Sequence, residues 1–105
     1  MFKANASISG TFGAATTNYS EMTGSSDELA ATGGYSTGGF ALTNVNPTST
    51  STTAFTDFSA NASWSSATFT TRGCLIYNTS DSNSAVAVIT FGADYSVSGG
   101  TFEIQ

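Results

Sequence analysis

The sequence predicts an all-β fold, a single small antiparallel β-sandwich or barrel of about eight short strands spanning residues 1–105. Three observations predict it. The polar residues are mostly Ser, Thr, Asn and Gly; Thr with the aromatics favours strands, and Ser, Asn and Gly favour the turns between them. Short runs such as Phe2–Ile8 and Ala67–Thr71 alternate apolar with polar, the period of a half-buried strand. The densest apolar stretch, Arg72 to Gly92, divides into two runs rich in β-branched and aromatic residues around a wholly polar middle, Asn78 to Ser84, as a hairpin does.

In chain order, Phe2, Ala4, Ala6 and Ile8 alternate with Lys3, Asn5 and Ser7 and predict a terminal strand able to pair at an edge or reach a neighbour. Ser9 to Gly13 turns the chain, and Asn18 to Met22 is a candidate short strand. Gly24 to Ala31, with Ser26 as N-cap before Asp27 and Glu28, predicts one helical turn, because acids favour a first turn. The glycines of Gly33–Gly39 make a loop, from which Phe40-Ala41-Leu42 opens a strand. Pro47 marks a turn into Thr48–Thr53. Ala54–Phe58 then predicts a strand whose Phe55 and Phe58 fall on opposite faces unless a bulge intervenes.

Asn61–Ser66 carries Trp64, and Ala67, Phe69 and Thr71 lead to a corner at Arg72-Gly73. In the hairpin, Cys74–Tyr77 and Ala85–Phe91 are apolar at successive positions, so both faces need cover: a second layer on one side, a neighbour or another subunit on the other. Leu75, Tyr77, Ala87 and Ile89 are the expected core residues there, with Trp64 added from the preceding strand. Tyr95 and Val97, then Phe102 and Ile104 after the Gly99-Gly100 turn, complete the count.

Charge narrows the partners. Two basic and seven acidic residues leave a net charge of −5, so the chain cannot neutralise a run of phosphates, and nucleic acid is not an expected partner. Only 9% of residues are charged, unlike a charge-rich disordered tail. After Met1-Phe2-Lys3 the chain turns polar at once, so neither a general secretory signal nor a membrane span is expected. The single cysteine, Cys74, has no partner for an internal disulfide and is expected as a buried thiol.

Motifs that carry chemistry are weak. Gly34-Tyr35-Ser36-Thr37-Gly38 has the spacing of a hydrolase nucleophile elbow, but the chain has no histidine to serve as base and no α/β pattern around the string. The same lack of histidine, with one cysteine, removes the usual zinc sites, and Asp81-Ser82-Asn83 lacks the further acids of a calcium loop. Asp57, Asp94 and Glu103 would have to converge to act as a glycosidase pair. Asn5, Asn18, Asn61 and Asn78 each begin an N-x-Ser/Thr string, which this composition produces readily. No enzyme activity, metal or cofactor is expected. Phe2, Tyr35 and Phe40 are the candidate partner-contact residues, Tyr35 because its glycine neighbours leave it exposed; Trp64, Tyr35, Phe40 and Tyr95 are also the aromatics available to a sugar-binding platform.

The strings Arg72-Gly-Cys-Leu-Ile-Tyr-Asn78, Ala85-Val-Ala-Val-Ile-Thr-Phe-Gly92 and Ser98-Gly-Gly-Thr-Phe-Glu-Ile-Gln105, with Tyr19-Ser-Glu-Met-Thr-Gly24, Gly34–Phe40, and Trp64 ahead of Phe69, resemble a family of small β-rich structural proteins of tailed bacteriophages. The family more usually has alanine at the position of Cys74, and its last strand commonly continues into a further segment. The resemblance implies a virion component without enzymatic activity: a decoration or cement protein that binds the major capsid protein or another virion protein and stabilises the head. A tail or fibre component, including a carbohydrate-binding adsorption module, is the alternative. It further implies assembly in the bacterial host cytoplasm and a homo-oligomer, for instance a trimer matching a local symmetry axis of a shell.

Overall fold

In the computed structural model, residues 1–3 and 12–105 are described. Of the predicted first strand and its turn, residues 4–11 lie outside this range. Among the described residues the chain is all-β apart from one helical turn: β1 (Phe2–Lys3), α1 (Ser20–Gly24), β2 (Thr48–Thr50), β3 (Thr53–Phe55), β4 (Ala62–Asn78) and β5 (Ser84–Ile104). They form two antiparallel sheets, ordered β1-β4-β5 and β2-β3, and neither closes into a barrel.

The predicted hairpin is present but longer than expected. Cys74 pairs with Ile89, Leu75 with Val88 and Ile76 with Ala87 around the Asn78–Ser84 turn; the ladder then continues past the expected corners to Ala62 and Ile104. Bulges replace those corners. The register slips at Ser65–Ser66, where Ser66 has φ of 51°, and between Thr71 and Gly73, opposite the segment of β5 containing Gly92. An extra residue bends a strand without ending it, so several predicted short strands merge into two long ones.

Each slip also resets which face a side chain takes. Trp64, Ala67 and Cys74, which strict alternation would not align, join Met1, Leu29 and Tyr35 in one buried cluster, flanked by Phe69, Phe91, Val97 and Phe102. On the other face Leu75 meets Phe2, Phe12 and Met22, with Tyr19, Tyr77 and Val88 alongside. The central strand β4 is thus covered on both faces by its own chain. Thr71, fully buried on β4, satisfies its hydroxyl by donating to the carbonyls of Phe2 (2.9 Å) and Gly73 (3.1 Å).

Three expectations for the N-terminal half are corrected. The helix is α1 and not the segment after Gly24, and Asn18–Met22 therefore is not a strand. Glu21 reaches back to accept from the Thr17 and Asn18 amides and the Thr17 hydroxyl, while Asn18 Oδ1 accepts from the Ser20 amide. The Asn18 side chain thereby satisfies the first free amide of the helix, and Glu21 fixes the chain just before it. Ser26 instead takes a positive φ of 59° and turns the chain out of the helix. Phe40–Leu42, expected as a strand, forms none.

Candidate interaction surface

The most developed polar site gathers around Glu28. Its carboxylate accepts from the Tyr19 hydroxyl (2.6 Å), the Tyr35 hydroxyl (2.9 Å) and the Gly38 amide (2.7 Å). The Met1 amine donates to the Tyr35 oxygen (2.8 Å), and Tyr77, stacked on Tyr19 at 4.4 Å, donates to the Gly38 carbonyl (2.9 Å). Burial raises the phenol pKa of Tyr19, Tyr35 and Tyr77, and the neighbouring Glu28 raises them further. Desolvation lowers that of the Met1 amine. With its donors and acceptors matched, the cluster ties the 28–39 segment to the sheet. Gly33 is needed in that seat, since its φ is +57° and a Cβ there would overlap the carbonyl of Thr68, whose amide bonds the Gly33 carbonyl (2.8 Å).

This arrangement relocates two candidate contact residues. Tyr35, expected to be exposed, is 3% exposed because its hydroxyl is engaged and its ring packs against Trp64 and Phe69. Phe2 is also buried, against Phe12 and Gly73. Phe40 is exposed, edge-on to Trp64 at 5.7 Å. Among the expected core residues, Trp64 and Leu75 are buried and Tyr77 is half-buried, whereas Ala87 and Ile89 are exposed. The correction has a topological cause: among the described residues β5 is the last strand of its sheet, and the cover that β4 receives does not extend across it.

Ser36 of the elbow-like string lies on an exposed loop, its carbonyl accepting from the Gly39 amide (2.9 Å). Among the described residues no three His, Cys, Asp or Glu side chains come together as a metal site requires, and no helix is long and apolar enough to cross a membrane. Cys74 is a buried free thiol whose pKa is raised by desolvation. Arg72 Nε lies 2.7 Å from Asp94 Oδ1, near enough for charge attraction but not aligned as a hydrogen bond, and Arg72 Nη1 donates to the Gly92 carbonyl (3.3 Å) across the bend of β5.

Apart from Phe40, the large apolar side chains left uncovered among the described residues fall into two groups. One is an arm: Thr43–Ser59 folds back on itself through β2 and β3, extended by the Asn44–Phe58 bridge and the bonds Val45 N–H to Asp57 (3.0 Å) and Ser59 N–H to Thr43 (2.9 Å). Every residue of the arm is exposed, including Val45, Phe55 and Phe58, and its sheet joins no other strand among the described residues. The other lies on β5, where Val86, Ile89 and Tyr95 are exposed and Tyr95 lines a shallow groove with Phe91, Phe102, Glu103, Ile104 and Gln105. The sequence points to a neighbour over one face of the hairpin and to Tyr95 as an available aromatic, but gives no sign that the Thr43–Ser59 arm stands apart from the main sheet. No family model, curated protein or solved structure matches the chain.

Proposed function

We propose that the chain is a non-enzymatic structural protein of a tailed-phage virion, a decoration or cement protein that binds the assembled head through the major capsid protein or another virion protein. The sequence resemblance supports the family. The structural observation that carries the contact role is the uncovered apolar surface of the arm and of β5 on a chain with few charges. A Ser/Thr/Asn surface with few long charged side chains loses little side-chain entropy when a neighbour covers it. Many copies bound to one shell stabilise it by mass action, since binding favours the assembled state. A bound neighbour covers the apolar side chains that β5 leaves exposed.

Quantitative mass spectrometry of purified virions, with heads and tails separated, tests the reading. The expected result is the protein in the head fraction at many copies per particle. Its absence from particles overturns the proposal, and its presence in tails alone transfers the role to the rival tail or fibre reading.

A further inference from the structure

We infer that Tyr19 and Tyr77 form an oxidative cross-linking site, at which a diffusible one-electron oxidant joins the two rings through a carbon–carbon bond and staples the α1 segment to β4. The inference rests on the packing of the tyrosines and is independent of the virion reading.

Ring geometry gives the first argument. The chain has four tyrosines, and among the described residues only Tyr19 and Tyr77 stack on one another, with centroids 4.4 Å apart and planes 7° from parallel. At that separation ring carbons lie in van der Waals contact, about 3.5–4.0 Å apart. Their hydroxyls converge. Tyr19 donates to the Glu28 carboxylate, which also accepts from the Gly38 amide, and Tyr77 donates to the Gly38 carbonyl. The rings therefore stack with their hydroxyl ends together, which brings close the carbons ortho to the hydroxyls, where a phenoxyl radical carries much of its spin. Both rings are half-buried, within reach of a small oxidant. Tyr35 is buried against Trp64 and Phe69 instead, and Tyr95 packs on Phe91.

The Glu28 carboxylate gives the second. Oxidising a phenol removes an electron and a proton, and the short, charge-assisted bond from the Tyr19 hydroxyl to Glu28 Oε2 (2.6 Å) supplies the acceptor for the proton. The tyrosyl radical that results is neutral, so the burial that disfavours a tyrosinate here does not oppose it. Tyr77 gives an electron to a second equivalent of oxidant and its proton to solvent. The two radicals couple at one ortho carbon of each ring, and the hydrogens on those carbons move to the oxygens and restore both phenols. In sum, two electrons pass to the oxidant, two protons pass to Glu28 and solvent, and one carbon–carbon bond forms. With Cys74 as its single cysteine the chain has no internal disulfide, and this link constrains the unfolded chain as a disulfide does.

The test is photo-oxidation of the dilute full chain with tris(bipyridyl)ruthenium and persulfate, followed by proteolysis and mass spectrometry. Lys3 and Arg72 are the chain's only basic residues, so trypsin separates Tyr19 and Tyr35, in residues 4–72, from Tyr77 and Tyr95, in residues 73–105. The expected product is a monomer lighter by two hydrogens, with dityrosine fluorescence and a raised urea midpoint, whose two tryptic fragments stay joined through Tyr19 and Tyr77. Tyr95→Phe should keep this link and Tyr77→Phe should lose it. Glu28→Gln should lower its yield several-fold while Tyr95 is oxidised as before. Near-UV circular dichroism of Trp64 verifies that each variant is folded before oxidation. A monomer without dityrosine, a link that maps to Tyr35 or Tyr95, or a yield unchanged by Tyr77→Phe or by Glu28→Gln would each overturn the inference.

Discussion

The ring of Phe2 rests so closely on Gly73 that a β-carbon there would overlap both the ring and the carbonyl oxygen of Ile89. Gly73 sits in the middle strand, paired with Phe2 on one side and Thr90 on the other. Gly73→Ala should therefore cost about 1–3 kcal/mol, as overpacking does, and Phe2→Ala about 3–5 kcal/mol through the cavity left behind. In the double variant the clash with the ring is gone while that with the Ile89 carbonyl remains, so urea unfolding should show modestly less than the sum of the two costs. Strict additivity would mean that the two residues do not share this space.

The phenols around Glu28 give an alkaline limit. Tyr19, Tyr35 and Tyr77 have folded pKa values raised above the ordinary 10.0. The unfolded chain therefore releases these protons first, and the associated stability is complete below pH 10.0 and lost as pH rises beyond it. Tyrosinate absorbance should rise together with loss of the Trp64 near-UV signal. Titration of these phenols in a chain that stays folded would contradict the burial.

Removing one hydroxyl from that cluster tests its role as a tie. Tyr35→Phe deprives Glu28 of a donor and the Met1 amine of its acceptor. A loss of about 1–3 kcal/mol is expected, the cost of leaving buried polar groups unpaired. Thermal or urea unfolding measures it, and a neutral result would show that water replaces the bond freely.

Positions along the hairpin should separate by burial. Leu75→Ala should cost about 2–5 kcal/mol, Ile89→Ala only about 1–2 kcal/mol because the side chain is 40% exposed, and Asp81→Ala at the turn within about 0.5 kcal/mol. Equal effects of Leu75→Ala and Asp81→Ala on the isolated protein would mean that the hairpin is misplaced.

Cys74 should resist thiol reagents in the native chain and react fully once urea unfolds it, since it is buried and its thiolate is disfavoured by desolvation. Fast native labelling would place it nearer the surface than β4 allows.

Much of the fold was legible because its signals are local. The run Cys74–Tyr77, the polar turn and Ala85–Phe91 state a hairpin by composition, and the structure pairs them as that pattern requires. The helix start was not legible: Asn18–Met22 has the pattern of a strand, yet the helix begins at Ser20, where the Glu21 carboxylate reaches back to the Thr17 and Asn18 amides. The Ser26-Asp27-Glu28 pattern competes with it by offering acids after a capping residue. The sequence alone does not rank the two, because the deciding contact, Met22 against Phe2 and Leu75, is remote in the chain.

By itself, then, the sequence determined the all-β class, the hairpin and its turn, and a surface poor in charge, all consequences of side-chain chemistry within a few residues. The tertiary structure decided where the bulges fall and which strand ends the sheet. Those two choices set the face of every residue beyond them: they bring Trp64, Ala67 and Cys74 into one cluster, turn Tyr35 inward to Glu28, and leave Ile89 and the Thr43–Ser59 arm uncovered. A bulge takes one residue and shifts the side-chain period by one, so its position depends on packing across the sheet rather than on local propensity.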